Sequence, residues 1–152
     1  MAKHIGVTLP KDLVELLKKG TVGVVATFSE KGLPHTTPIQ TIYPKGSEAL
    51  LISIHKEHQG YHNMVWQKKV MINFLGEENV AYSVLGRAGV VRAPSLVHPL
   101  MNIVQLDIID IKSDVYALAH IESGVKYSYP SWEAEELSKA LINELIDLSK
   151  TL

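Results

Sequence analysis

Residues Thr21 to Tyr43, TVGVVATFSEKGLPHTTPIQTIY, decide the fold. Thr21 to Phe28 is short and β-branched, which suits a pleated, half-buried strand better than a helix. Ser29 to Gly32 (SEKG) has the chemistry of a turn. Pro34 to Tyr43 then reads as the return strand of a hairpin. Pro38 points to an edge position or an irregularity, because proline cannot donate to a ladder. Upstream, Leu9, Leu13, Leu16 and Leu17 form the apolar stripe of a short helix, with Thr8 as its cap and Pro10 in its first turn. Lys18 and Lys19 favour the negative end of that helix, and Gly20 stops it.

Downstream, Pro44 to Ser47 turns the chain and Ala49 to Ile54 makes a third strand. A short helix fits within His58 to Lys68. Val70 to Leu75 and Val80 to Arg92 read as the fourth and fifth strands, and Gly86 and Gly89 mark a bulge or a close backbone approach. Met101 to Lys112 is a sixth strand of imperfect alternation, so both of its faces are expected to be partly covered. Ser131 caps a closing helix with Glu133, Glu135 and Glu136 in its first turns and Leu137, Leu141, Leu145, Leu148 and Leu152 along one face. The expectation is a mainly β (α+β) fold: a six-stranded antiparallel barrel with N- and C-terminal helices. No repeat or linker divides it, so residues 1–152 are read as a single domain.

Composition narrows the function classes. A net charge of −1 gives no pull toward nucleic acid or an acidic membrane surface. No apolar run approaches the roughly 20 residues that span a bilayer, and MAKHIGVTLP lacks the apolar segment of a secretory signal. The absence of cysteine excludes disulfides, thiolate catalysis and Cys-based zinc sites. A cytoplasmic protein with no nucleic-acid or membrane partner is expected.

The stretch Ser53 to Asn63, SIHKEHQGYHN, is the richest in chemistry. His58 and His62 stand four apart, as zinc-binding pairs on a helix do, with His55 as a third candidate. Gly60 weakens the helix between them and no acidic residue completes a known zinc spacing, so no metal ligand is assigned. A solvated polar connection is the plain alternative. The third reading is an anion cradle. A strand passing through a polar turn into a helix aims free backbone N–H groups at whatever lies above. Lys56 adds a charge, Ser53, His58 and Gln59 add donors, and Arg87, just past Gly86, offers a second arm.

The order of elements resembles the FMN-binding split-barrel family typified by pyridoxamine 5′-phosphate oxidases, and within it the small single-domain FMN-binding proteins. The resemblance runs from about residue 9 to 92. It is carried by Ala26, Thr27, Gly32, Pro34 and His35 in the hairpin, by Asn63 seven residues before Val70, and by Gly86. It implies a homodimer with FMN in a groove between subunits. The phosphate would lie on Ser53, Ile54, His55, Lys56, His58 and Gln59, and the isoalloxazine edge on Thr36, Thr37, Pro38, Ile39 and Gln40. The loop Ala93 to Pro99 would set the substrate. Tyr127, Tyr129 and Trp132 would cover the ring, although Trp132 reads better as a core anchor at the start of a helix.

One departure bears on activity. Oxidases of the family carry an Arg-Lys pair where this chain has Gln59 and Gly60. Its loss removes two charge-assisted contacts worth about 1.5–3 kcal/mol each and speaks against pyridoxamine phosphate oxidation in particular. The resemblance implies a small FMN-dependent oxidoreductase or electron carrier, the flavin supplying the redox chemistry. Two rivals stand beside it: a cofactor-free module on the same barrel, and a metal- or haem-binding variant using His55, His58 or His62.

Overall fold

In a computed structural model describing residues 3–151, eight strands and three helices follow one another along the chain. They are β1 (Lys3–Gly6), α1 (Lys11–Lys19), β2 (Gly23–Phe28), β3 (Pro34–Ile39), β4 (Ile42–Lys45), β5 (Ala49–His55), α2 (Gln59–Gln67), β6 (Lys69–Gly76), β7 (Val80–Arg92), β8 (Met101–Ser113) and α3 (Trp132–Ser149). All pairings are antiparallel, in the order β3-β2-β6-β7-β8-β5-β4, with β1 added to β8. The sheet curls around a core that includes Val25, Leu50, Ile52, Ile72, Phe74 and Leu106, and α1 closes one end with Leu13 and Leu17. This is the expected split barrel.

Eight strands replace the expected six for two reasons. Pro34 to Tyr43 is not one strand but two, broken at Gln40 and Thr41. At the break the Ser53 amide donates to the Thr41 carbonyl (3.0 Å) and the Thr41 hydroxyl donates to the Ser53 carbonyl (2.6 Å). The chain thereby leaves β2 and joins β5, which is where the barrel splits. The other addition, β1, is exposed throughout and has no apolar period to announce it.

Pro38 does lie on an edge strand, in regular register opposite Val24. Pro44 lies on the other edge strand, opposite Leu50, so the expected turn begins only at Gly46. Gly86 sits at a register shift, and a Cβ there would stand 3.0 Å from Leu106 Cγ, so both expected roles hold. Thr8 does not cap α1; the N-cap position is Pro10 and no side chain bonds there.

β5 and β8 are covered on both sides. Val104 and Leu106 face the barrel, whereas Ile103 and Leu51 pack with Leu145 of α3 in a second, smaller core. Ser131 caps α3 as expected, accepting from the Ala134 amide at 3.1 Å. Leu141 and Leu145 are buried, Leu137 is exposed, and Leu152 lies outside the described residues. Among the described residues no helix is long and apolar enough to cross a membrane.

Candidate functional site

The turn between β5 and α2 is built by its own backbone and histidines. The Lys56 amide donates to the Leu100 carbonyl (2.8 Å) and the His58 amide to the His55 carbonyl (3.0 Å). His55 Nδ1 accepts from the Glu57 amide (3.2 Å). His58 is the N-cap of α2, its Nδ1 accepting from the Gly60 amide at 2.9 Å. A ring nitrogen that accepts carries no proton, so the neutral ring bears its hydrogen on Nε2, which faces the Thr37 hydroxyl at 3.4 Å. Burial holds the His58 pKa below the usual histidine value, and the neighbouring His35 and His55 act in the same direction. The ring is therefore a neutral tie between α2 and β3.

Beside this turn lies a cavity of 390 Å³ bounded by β3, the Gln40–Thr41 break, the end of β5 and the first half of α3. It gathers Thr37, Pro38, Ile39 and Gln40 with Ser53, Ile54, His55 and His58. Thus most of the residues expected at the ring and at the phosphate meet around one space. Ser53 is 1% exposed. Its hydroxyl oxygen has no hydrogen-bond partner among the described residues. No Asp, Glu, Lys or Arg lines the cavity.

Four expected residues stand apart from it. Thr36 is exposed on β3, on the opposite parity from Thr37. Lys56 is exposed on the turn and is not among the lining residues. Gln59 turns to the other side of α2, where its amide donates to Asn63 Oδ1 (2.7 Å) and Asn63 donates to the buried Thr27 hydroxyl (3.0 Å). Arg87 is exposed on β7, opposite Lys69 and Asp107, and the structure does not bring it to the turn. The histidines are not gathered as metal ligands: His62 lines a separate 480 Å³ cavity with His35, Gln59 and Asn63. Among the described residues no group of three or more His, Asp or Glu side chains could hold a metal ion.

The far wall comes from residues outside the expected set. Ala134, Leu137, Ser138 and Leu141 of α3 complete the cavity, together with Thr41 and Met101. Gln40 Nε2 donates to the Ser138 hydroxyl at 2.7 Å, fixing α3 over the strand break. A signal existed: Ser138 interrupts the leucine face of α3, and a buried serine there needs a polar partner.

The aromatic run does not reach this cavity. Tyr127 and Tyr129 line a neighbouring 340 Å³ space on the other side of Gln40 and Ser138, and the Tyr129 hydroxyl lies 3.2 Å from that of Ser138. Trp132 is 70% exposed at the start of α3, so it is not the core anchor expected of it; α3 is anchored further along, by Leu141 and Leu145. The loop Ala93 to Pro99 is held at the distal half of α3 by Glu144, which accepts from Arg92 (3.0 Å), the Leu96 amide (2.7 Å) and the Ser95 hydroxyl.

The sequence profile of the family described as pyridoxamine 5′-phosphate oxidase matches residues 9–116. No curated protein matches the chain. Among solved structures, a candidate pyridoxamine 5′-phosphate oxidase of Lactobacillus delbrueckii superposes with a TM-score of 0.62 at 20% identity, over 72% of this chain and 98% of that one. An F420 reductase gives 0.58 at 18% identity, over 68% of this chain and 98% of the other. An FMN-binding protein of Syntrophomonas wolfei gives 0.53 at 12% identity, over 64% and 80% respectively. At these identities the structures speak for the fold.

Proposed function

Because this chain belongs to the pyridoxamine 5′-phosphate oxidase family, we propose that it binds a flavin nucleotide, FMN, and acts in the cytoplasm as a small flavin-dependent oxidoreductase or electron carrier. The observation that carries the proposal is the cavity bounded by β3, the end of β5, the His58 cap of α2 and the first half of α3, with the unpartnered Ser53 hydroxyl in its wall. A buried hydroxyl without a partner costs about 1–3 kcal/mol, which a polar ligand atom would offset.

The residues fit the group end by end. Pro38, Ile39, Ile54, Met101 and Leu141 offer apolar surface for a planar ring, and Thr37, Gln40 and Ser53 offer hydrogen bonds to its edge. Lys56, exposed on the adjoining turn, and His58 at the start of α2 offer the phosphate a charge and a donor. Bound flavin would supply hydride or electron transfer; the chain would orient it and keep water from one side. The ring's open side would be closed by a second copy in a homodimer, which supplies the groove of the family resemblance.

A deazaflavin such as F420 is a second reading, favoured by the F420 reductase among the structural neighbours. The deciding experiment is mass spectrometry of the small molecule released when the purified protein is denatured, with its absorption spectrum. FMN released from yellow protein supports the proposal. Colourless protein whose melting temperature does not respond to FMN or F420 overturns it in favour of a cofactor-free module.

A further inference from the structure

His58 occupies the backbone donor that an anion at the start of α2 would take. Its Nδ1 accepts from the Gly60 amide at 2.9 Å, so the first turn is capped from within the chain. One further observation points to a ligand here. His58 lines the same cavity as Ser53, which is 1% exposed and whose hydroxyl lacks a partner. The cap itself is close-fitting: a Cβ at Gly60 would lie 3.2 Å from His58 Nδ1 and press on the capping ring.

We propose that His58 is a proton-coupled latch for the phosphoryl group: the neutral imidazole caps α2, and an incoming phosphate takes over the Gly60 amide while His58, protonated, turns from acceptor to donor toward it. The inference rests on the flavin-nucleotide reading above. It supplies what that reading left open, namely how a phosphate is held where Gln59 and Gly60 replace an Arg-Lys pair.

The chemistry leaves little latitude. Nδ1 can accept from Gly60 only while it is unprotonated; protonation sets N–H against N–H and breaks the cap. The surroundings bias the ring to the neutral form. His35 on β3 lies 5.9 Å away between ring centroids, and His55 stands at the end of β5. Lys56 and Glu57 lie on the exposed turn, and His62, on α2 itself, faces the opposite cavity. β8 and α3 present Met101, Leu137, Ser138 and Leu141, none of which titrates. A phosphate dianion is the partner that would reverse the bias, since an opposite charge at contact favours the protonated ring.

The test is calorimetry of FMN binding in buffers of different ionisation enthalpy at about pH 6 to 8, with the His58 ring followed by NMR. Binding is expected to take up protons, to move the His58 titration to higher pH, and to strengthen as pH falls, by up to about tenfold per pH unit for one coupled proton. The FMN phosphate itself titrates near pH 6, so two controls isolate the latch. His58→Asn keeps an acceptor at the cap without titrating and should lose the histidine part of the uptake. Riboflavin, without a phosphate, should take up none. Equal pH dependence in wild type and His58→Asn overturns the latch and leaves the flavin reading intact. If neither FMN nor riboflavin binds, the flavin reading falls and inorganic phosphate decides the latch: an upward shift of the His58 titration sustains it, and no shift overturns it.

Discussion

Lys56 and His58 lie two residues apart, yet the fold gives them different work. Lys56 is exposed on the turn with its amide tied to Leu100, so its ammonium is free to meet a ligand's charged end. Lys56→Ala should therefore weaken FMN by about 1.5–3 kcal/mol, the worth of a hydrogen bond to a charged group, and leave riboflavin nearly unchanged. Equal losses measured by flavin-fluorescence titration would remove Lys56 from the phosphate. His58 acts on stability through the α2 cap. Its folded pKa is depressed, so the unfolded chain binds the proton more readily. The stabilising contribution is fully present above the ordinary histidine value of about 6.5 and is lost as pH falls through the folded value. Urea unfolding at a series of pH values should show that loss in wild type and a flatter profile in His58→Asn; parallel profiles would exclude His58 as the source. The position of His58 was legible in the sequence but its role was not. Histidine is no usual cap, and only coordinates show its lone pair directed at Gly60.

Among the elements, legibility followed local pattern. β7 and α2 declared themselves, the first by an apolar run between turns and the second by its polar approach, even with Gly60 inside it. β1 did not, because four exposed residues carry no period. The division of Pro34 to Tyr43 into two strands was hidden for a different reason. Ile39 and Ile42 are both buried on opposite parities, a change of phase that a bulge would give equally, and what breaks the strand is the pairing of Thr41 with Ser53, twelve residues on. The attachment of α3 was equally hidden, since Glu144 looks like one more surface acid on a helix rich in them. In the fold it is buried and accepts from Arg92, Ser95 and Leu96. Glu144→Ala should cost about 1–3 kcal/mol by stranding those donors. Amide exchange at Leu96 should accelerate by more than the global loss of stability explains. If Leu96 exchanges no faster than the rest of the molecule, Glu144 is not what holds the 93–100 loop. Ser131→Ala, which removes only the cap of the same helix, should cost about 0.5–2 kcal/mol without affecting that loop.

At the scale of the whole molecule, half of the candidate site could be read in sequence because Thr37 to Gln40 and Ser53 to His58 lie close together along the chain. The remaining wall comes from Ala134 to Leu141, about eighty residues downstream, and only the docking of α3 brings it there. A ligand seated among β3, β5, α2 and α3 therefore ties the first third of the chain to its end, and its binding should be felt by the cooperative unit rather than by one loop. A ligand at 100 times its dissociation constant stabilises a folded protein by about 2.7 kcal/mol. In a domain of this length each kcal/mol moves the melting temperature by about 2–4 °C, so FMN at that excess should raise it by about 5–11 °C. Riboflavin at the same multiple of its own dissociation constant should give an equal rise, because the linkage depends on saturation alone. At equal concentrations it should give a smaller one, by the amount the phosphate contributes. If a second copy closes the site, the rise with FMN should also grow with protein concentration, and sedimentation should show a dimer that tightens on loading. A melting temperature unmoved by either flavin, or a monomer that binds FMN with no dependence on protein concentration, would refute the seam between copies that the proposal requires.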